Sequence, residues 1–354
     1  MKPPRKVAVL GAGSWGTTFA KVIADAARFS SNDDGHPARV VVWARRPEVA
    51  TEIDERHRNS SYLDGIELPE NVHATADPSE ALEHADIVVL AVPAQTLRAQ
   101  LRQVADVLPR SAVVVSLMKG LERDSDARMS EVICSELGLD SSRVAVVSGP
   151  NLAMEIAREE PTASVVACED EEIAAWVAAA ASAPYFRPYT NSDVVGVEMG
   201  GIVKNVIALA VGMCDGMGMG DNTKASVITR GLAETTRLAS ALGGRIETMA
   251  GLAGLGDLVA TCSSPLSRNR TAGRLLGEDL TPDEVVASMT QTAEGMKSAH
   301  AVLHLARRND VEMPITEAVV AVLDGRLSTT DMARALLGRD LKSEQDHRNE
   351  SDDE

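Results

Sequence analysis

The 354-residue sequence is poor in cysteine and has no long uninterrupted apolar run. Its four cysteines form no Cys-x-x-Cys pair, and isolated thiols are typical of a reducing cytoplasm; they are Cys134, Cys168, Cys214 and Cys262. No stretch approaches the roughly 18 apolar residues of a membrane-spanning helix. The N-terminal MKPPRK leads directly into VAVL, without the apolar core of a signal peptide. We therefore expect a cytoplasmic protein without stable membrane insertion.

Positive charge is also scarce. The net charge of −17 argues against general binding to nucleic acid or to anionic membranes. An anionic ligand would therefore need a locally basic site on an acidic protein. Only eight of the 35 basic residues are lysines, so a lysine within an apolar segment is conspicuous. Hydrophobic residues make up 44% of the chain, as in an ordinary globular protein long enough for two domains.

The first half of the chain alternates valine-rich runs with helical patterns. Because the runs are apolar on both faces, they predict strands of a covered parallel sheet at 6–10, 39–43, 86–92, 112–116, 143–148 and 162–167. The alternation predicts an α/β fold of the Rossmann type, with a doubly wound, mostly parallel sheet. From residue 193 on, the periodicity is helical. We therefore predict an α/β domain (1–190), an all-helical C-terminal domain (191–338) and a disordered acidic tail (339–354).

A glycine-rich turn follows the first predicted strand, in KVAVLGAGSWGTTFA. Gly11 permits a tight turn, Gly13 leaves room for a pyrophosphate beside the backbone, and Gly16 lets the next helix pack against the sheet. The helix N-terminus then offers free N–H groups to the phosphates. Glycines required for packing alone are the alternative, but the strand–turn–helix context favours a dinucleotide site.

The second predicted strand ends in VVVWARRPE, where an acidic residue would bind the ribose 2′-hydroxyl of NAD. Arg45 and Arg46 stand there instead, and guanidinium groups suit a 2′-phosphate. We therefore expect NADPH/NADP to be preferred, with NADH/NAD possible. The alternative is that both arginines belong to a solvated loop. The preceding SSNDDGHPA (30–38) is predicted to be a surface loop.

Several further motifs are longer and more particular than the glycine turn. They are VVSLMKGLE, SGPNLAMEIA, VEMGGIVKNVIALAVGM, NTKASVITRGLAE, AGLGDLVATCSSPLSRNR and AEGM. Together with GAGSWGTTFA and WARRPE, they resemble the bacterial type of NAD(P)-dependent sn-glycerol-3-phosphate dehydrogenase. The resemblance implies reversible reduction of dihydroxyacetone phosphate to sn-glycerol 3-phosphate, a precursor of glycerophospholipids, and we also expect a homodimer. The alternatives are a related β-hydroxyacid or sugar-acid phosphate dehydrogenase, and a dinucleotide sensor without catalysis.

Three charged residues would carry this chemistry. Lys204 lies in an almost wholly apolar run, where burial lowers the pKa of a lysine toward that of a general acid or base; a lysine that snorkels at a helix edge is the alternative. Lys119 follows a predicted strand at its carboxyl end, where α/β sheets bind ligands. Asp257 lies in a glycine-rich joint, where it could hold a substrate hydroxyl, orient Lys204 or cap a helix. The resemblance makes Lys204 the proton acceptor in alcohol oxidation, with substrate contacts for Lys119 and Asp257.

Two short segments supply the other predicted substrate contacts. In SGPN, backbone N–H groups near Gly149 and Asn151 can hold an anion or a hydroxyl, although Asn151 could also cap the next helix. In SRNR, the Arg268 guanidinium suits a phosphate monoester, and a solvated loop is the alternative. The resemblance places Ser267, Arg268 and Asn269 on the substrate. Gly149 and Asn151 are predicted substrate contacts through their backbone, and Asn205 is one because it stands beside Lys204, itself a predicted substrate contact.

The resemblance also extends the predicted cofactor site beyond the three glycines and the two arginines. The further residues are Ser14, Trp15, Tyr62, Lys119, Ala153, Arg268, Thr292 and Glu294. No metal is expected, because His300 and His304 share a helical face without an accompanying carboxylate motif. The predicted partners are the small-molecule substrate and the cofactor. Nucleic acid is not expected, because the net charge is −17.

Overall fold

The valine-rich runs form one sheet in the computed structural model, which describes residues 1–29, 37–289 and 293–337. Thr292, most of the predicted loop at 30–38 and the predicted tail at 339–354 lie outside these residues. The strands are β1 (Lys6–Leu10), β2 (Arg39–Trp43), β3 (Val72–Thr75), β4 (Ile87–Leu90), β5 (Val113–Ser116), β6 (Val144–Ser148), β7 (Thr162–Ala167) and β8 (Phe186–Asn191). Their order across the sheet is β3-β2-β1-β4-β5-β6-β7-β8.

The sheet is parallel except between β6 and β7, and its order reverses between β1 and β4. In the register of the central strands, Val7 pairs with Val40 on one side and with Ile87 on the other, and all three are buried. Such strands need cover on both faces. The covering helices are α1 (Ser14–Phe29), α2 (Pro47–Arg56), α3 (Pro78–Leu82), α4 (Leu97–Val104), α5 (Met129–Leu137), α6 (Ala153–Ala157) and α7 (Glu171–Ala180). The predicted Rossmann-type fold class is confirmed.

The sequence patterns do not predict β3 and β8. β3 has only four residues, and only Val72 among them is buried. β8, with the sequence FRPYTN, pairs with β7 and is the edge strand of the sheet as far as the structure describes it, so most of its side chains are at least partly exposed. Pro188 is tolerated there because an edge strand leaves one side of its backbone without ladder hydrogen bonds. The predicted domain boundary, between residues 190 and 191, therefore falls within the last strand of the sheet.

After β8, the described elements are all helical. They are α8 (Val194–Gly216), α9 (Asp221–Ala241), α10 (Ile246–Ala250), a π-helical turn (Leu252–Gly256), α11 (Asp257–Ser263), α12 (Arg268–Gly277), α13 (Pro282–Ser288), α14 (Glu294–Arg308), α15 (Pro314–Leu323) and α16 (Thr329–Leu337). α8 is the central helix, and α12 packs closely on it. A Cβ on Gly273 would lie 2.1 Å from the carbonyl oxygen of Leu209, so this contact requires glycine. By length and composition α8 could cross a membrane, but 94% of its most apolar window is buried within the protein, as in a core helix.

Candidate active site

A cleft of about 1130 Å³ runs along the carboxyl ends of the parallel strands. The segments that follow β1, β2, β4, β5 and β6 contribute lining residues, and so do α8, α11, α12 and the start of α14. Ligands of open α/β sheets bind at this edge, outside the point where the strand order reverses. The cleft thus combines residues from the sheet and from the helical half of the chain.

The glycine turn after β1 is shaped for a dinucleotide. A Cβ on Gly11 would lie 2.3 Å from the Ala91 carbonyl oxygen, and one on Gly16 would lie 2.1 Å from that of Gly11. These two glycines are therefore required for close packing. A Cβ on Gly13, by contrast, would meet nothing within 4 Å, and Gly13 lines the cleft. Because packing does not account for Gly13, the turn fits a pyrophosphate approaching the backbone at the N-terminus of α1.

The predicted adenosine end of the cofactor site comes together beside β2. Arg45 and Arg46 are exposed and line the cleft, as do Ser14 and Trp15 of the glycine turn. The guanidinium carbon of Arg46 lies 5.7 Å from the centre of the Tyr62 ring, a separation typical of a cation–π contact. The arrangement therefore offers two positive charges and an aromatic face within one part of the cleft.

A buried carboxylate joins the two predicted catalytic lysines. Asp257 opens α11 directly after the π-helical turn and is 1% exposed. One of its oxygens accepts a hydrogen bond from Lys119 at 2.6 Å, and the other accepts one from Lys204. Lys119 also donates to the Gly149 carbonyl oxygen at 3.0 Å, and Lys204 donates to the Thr261 hydroxyl at 2.6 Å. Asp257 thus orients both ammonium groups, and its carboxylate does not act as a helix cap.

Burial determines how readily Lys204 releases its proton. Lys204 is 8% exposed, and the loss of hydration lowers its pKa to about 8. Asp257 raises this pKa, whereas the second ammonium group, on Lys119, lowers it. Lys204 therefore remains mostly protonated at neutral pH, yet its pKa is close enough to neutrality for proton transfer. Of the two interpretations of Lys204, the buried acid–base group fits this environment and the snorkelling side chain does not.

The SGPN turn contributes through groups other than a helix cap. Gly149 acts through its carbonyl oxygen, which accepts the hydrogen bond from Lys119. Asn151 lines the cleft, and neither polar atom of its amide has a hydrogen-bond partner among the described residues. The N-cap of α6 is Leu152, so the interpretation of Asn151 as a cap is wrong. Both amide atoms are buried without a partner among the described residues, and Ala153, two residues on, also lines the cleft.

The residues of the SRNR motif have different partners. Ser267 is the N-cap of α12, where its hydroxyl accepts a hydrogen bond from the Arg270 N–H at 3.2 Å. Arg268 is exposed and lines the cleft. Arg270 instead forms an ion pair with Asp215 at 2.5 Å. Because Arg268 lines the cleft and Arg270 is not among its lining residues, the Arg268 guanidinium group is the one of this motif that is placed to bind an anion there.

Asn269 connects three helices through its amide. Its Nδ2 donates to Oδ1 of Asn205 at 2.8 Å, and its Oδ1 accepts from the Gly295 N–H at 2.8 Å. Nδ2 of Asn205 donates to the Gly201 carbonyl oxygen at 3.4 Å, and its second proton can be donated to a substrate. Glu294, next to Gly295, also lines the cleft, and burial raises its pKa.

Two polar residues of this region are not singled out by the sequence. Thr261 lies four residues after Asp257, on the same face of α11, and this spacing is a signal that could have identified it. Asn59 donates hydrogen bonds to Ala12 and Thr17, which are 47 and 42 residues away, and no local pattern indicates such contacts.

The histidines of α14 do not share a ligand site. His300 lies 2.7 Å from a carboxylate oxygen of Asp324, and His304 contacts the carboxylate of Asp126. Within the part of the chain that the structure describes, no three His, Cys, Asp or Glu side chains are grouped so as to hold a metal ion.

An acid–base lysine beside a turn shaped for a dinucleotide is the arrangement of a nicotinamide-dependent dehydrogenase, in which a proton and a hydride are exchanged at one carbon–oxygen group. Family models agree with this class. The model for the N-terminus of NAD-dependent glycerol-3-phosphate dehydrogenase matches residues 6–174, and the model for its C-terminus matches residues 193–334. The chain belongs to this family.

Curated relatives and solved structures point the same way. The chain is 57% identical to glycerol-3-phosphate dehydrogenase (NAD(P)+) of Thermobifida fusca over 96% of this chain and 98% of that protein. It is 55% identical to the glycerol-3-phosphate dehydrogenase (NAD(P)+) of Streptomyces coelicolor over 97% of this chain and 99% of that protein. The crystal structure of glycerol-3-phosphate dehydrogenase from Coxiella burnetii has a TM-score of 0.86 at 35% identity and covers 95% of this chain and 99% of its own.

More distant structures share only the fold. A ketopantoate reductase from Ralstonia eutropha is 18% identical, with a TM-score of 0.55, over 93% of this chain and 99% of its own. The clear difference between these scores and those of the glycerol-3-phosphate dehydrogenases does not favour the alternative of a related hydroxyacid dehydrogenase.

Proposed function

We propose that the protein reversibly reduces dihydroxyacetone phosphate to sn-glycerol 3-phosphate with NAD(P)H, and so supplies glycerophospholipid synthesis. The observation that carries this proposal is the convergence of Lys119 and Lys204 on the buried carboxylate of Asp257, beside the cleft that the glycine turn also lines. Curated relatives with 52% to 57% identity carry the name of this activity.

The substrate phosphate would bind at the start of α12. Arg268 begins this ten-residue helix and lines the cleft, and the free N–H groups of a helix N-terminus also favour an anion. Guanidinium groups bind phosphate in two-pronged geometry. On a chain with a net charge of −17, such a local basic site is needed to hold a phosphate monoester.

The reducing step requires a hydride, which the nicotinamide cofactor supplies to C2 when bound. As negative charge develops on the C2 oxygen, the ammonium group of Lys204 donates its proton to that oxygen and becomes a neutral amine. Lys119 provides a second positive charge that stabilises the oxygen, and Asp257 holds both lysines in place. In the direction of oxidation, neutral Lys204 accepts the hydroxyl proton.

Loss of NADPH absorbance tests the reaction directly. We expect turnover with dihydroxyacetone phosphate and none with 3-oxo acids, and turnover only with 3-oxo acids would refute the proposal. Lys204→Ala should bind NADPH as the wild type does but not reduce the substrate, since the lysine is the proton donor. Lys224→Ala, which removes a lysine paired with Asp215 and Asp221, is the matched control and should keep the activity. The mechanism requires no metal ion, so dialysis against EDTA should leave the rate unchanged.

The preference for NADPH over NADH is the finer part of the proposal. It is supported by Arg45 and Arg46, which follow β2 where a 2′-phosphate would lie. Changing both to alanine should reduce the ratio of kcat/KM for NADPH to that for NADH. Arg56→Ala removes an exposed arginine from the last turn of α2 and is the control for lost charge. An unchanged cofactor ratio in the double variant would contradict the assignment.

We further infer a cytoplasmic homodimer without stable membrane insertion. The net charge of −17 supports the last point, because anionic membranes repel an acidic protein. Sedimentation equilibrium at micromolar concentration should give twice the monomer mass of 37.5 kDa, and the monomer mass would contradict the dimer.

A further inference from the structure

A buried asparagine after α2 is hydrogen-bonded to the backbone of the glycine turn. Asn59 is 0% exposed, and its Nδ2 donates to the Ala12 carbonyl oxygen at 2.9 Å and to the Thr17 hydroxyl at 2.8 Å. Because a carbonyl oxygen can only accept, the contact with Ala12 fixes the amide nitrogen on that side. Asn59 is therefore bonded both to the turn and to the first helix that follows it.

The bond to Ala12 sets the direction of the next N–H group. In a planar trans peptide, the carbonyl and the N–H point in opposite directions. Since the Ala12 carbonyl is drawn toward the buried Asn59, the N–H of Gly13 is turned to the opposite side. Gly13 is the glycine with open space around it, and it lines the cleft.

We propose that Asn59 is a positioning residue of the cofactor site, which locks the Ala12–Gly13 peptide so that its N–H faces the pyrophosphate. A peptide already held in this orientation does not have to be ordered when the cofactor binds, which strengthens binding. The inference rests on the proposed function only in taking the glycine turn as the pyrophosphate site.

The backbone carbonyl group of Asn59 makes hydrogen bonds that do not involve its side chain. Its carbonyl oxygen accepts hydrogen bonds from the N–H groups of Tyr62 at 3.1 Å and Leu63 at 2.8 Å. A substitution at residue 59 keeps these bonds, and with them the turn that carries Tyr62. The effect of the side chain on the pyrophosphate can therefore be separated from an effect on the adenosine end.

Binding of two ligands to Asn59→Ala tests the proposal without any need for turnover. NADPH contains the pyrophosphate, whereas 2′-AMP contains the adenosine end alone. We expect the Kd of NADPH to rise about five- to tenfold, in line with the loss of one hydrogen bond to the turn, while the Kd of 2′-AMP stays within about twofold of the wild type. Thr17→Val is the matched control: it removes the other partner of Asn59 but keeps the bond to Ala12, so NADPH binding should hardly change.

Three results would overturn the proposal: an unchanged Kd of NADPH in folded Asn59→Ala, an equal loss for 2′-AMP, or an equal loss in Thr17→Val. If Asn59→Ala does not fold, the nearly isosteric Asn59→Asp replaces it. Its carboxylate repels the Ala12 oxygen at pH 8, but a protonated carboxyl can donate to it, so NADP+ affinity relative to wild type should recover toward pH 5.5. Absence of that recovery would also reject the proposal. Failure of the substrate assignment would leave all of these binding results unaffected.

Discussion

Replacing Asp257 by asparagine should shift the pH dependence of both reaction directions to lower pH. The substitution keeps the size of the side chain and removes its charge, while the ammonium group of Lys119 stays close to Lys204. In the wild type, the pKa of Lys204 is about 8, lowered by burial and by Lys119 and raised by Asp257. Without the carboxylate, only the lowering influences remain, so the pKa must fall.

The size of the shift follows from the charge that is lost. Two unit charges about 4 Å apart interact by about 4 kcal/mol at an effective dielectric constant of about 20. If relaxation of the site and the retained amide hydrogen bond cancel two thirds of this, about one pKa unit remains. Reduction requires protonated Lys204, so its rate should fall above about pH 8 in the wild type and above about pH 7 in Asp257→Asn. Oxidation requires neutral Lys204, and its rate should rise through the same pH values.

Initial rates in both directions between about pH 6 and pH 10, at saturating cofactor and substrate, measure these inflections. Asp215→Asn is the charge-matched control, because Asp215 lies on α8 as Lys204 does but pairs with Arg270 and Lys224. The control should leave the inflections in place. A lower kcat in Asp257→Asn with unmoved inflections would refute the role of Asp257 in setting the pKa of Lys204.

Two further predictions concern charged groups outside the lysine cluster. Arg268→Ala should raise the KM for dihydroxyacetone phosphate by roughly 10- to 100-fold, which corresponds to the loss of a charge-assisted hydrogen bond. Arg270→Ala is the control: because Arg270 pairs with Asp215, its loss should lower the melting temperature and leave KM unchanged. Equal effects of the two variants on KM would contradict this assignment. Burial of Glu234 under the N-terminus of α15 raises its pKa to about 7. Between about pH 4.5 and 7, the carboxyl group is therefore protonated in the folded state but ionised in the unfolded state. The contribution of Glu234 to the free energy of unfolding falls as pH rises through this range. Glu234→Gln should therefore gain stability relative to wild type between about pH 5 and 8, by up to about 3 kcal/mol in urea unfolding, and a pH-independent difference would rule this out.

The elements that the sequence predicts well are those whose signal is local. The valine runs of β1, β2 and β4 are apolar on both faces because each strand is buried between two others and two layers of helices. β8 gives no such signal, since an edge strand with half its side chains in solvent resembles a loop in composition. The glycine turn is also local. The predicted packing role of Gly16 and the predicted open space at Gly13 agree with the structure, whereas Gly11, predicted for the tight turn, is also required for close packing against Ala91.

The lysine cluster shows what a linear pattern leaves out. Lys119, Lys204 and Asp257 can each be singled out by position or by an unusual apolar setting, but their mutual contacts span up to 138 residues. The sequence therefore leaves three roles open for Asp257, and only the fold shows that its carboxylate contacts both lysines and caps no helix. Asn59 cannot be singled out from the sequence at all, because an asparagine after a helix is common. Its hydrogen-bond partners, Ala12 and Thr17, are far away in sequence and come close only in the folded protein.

α8 explains why the sheet and the helical half of the chain act as one site. This helix carries three buried polar side chains, and each is bonded to a different segment: Glu198 to Ser130 at the start of α5, Lys204 to Asp257 of α11, and Asn205 to Asn269 of α12. A buried polar group without its partner would be costly, so each bond fixes the rotation of α8 relative to one neighbour. With the rotation fixed on three sides, the ammonium group of Lys204 has one position relative to the carboxyl ends of the strands. The core of the protein, and not a mobile loop, thus fixes the position of the Lys204 ammonium group relative to the glycine turn.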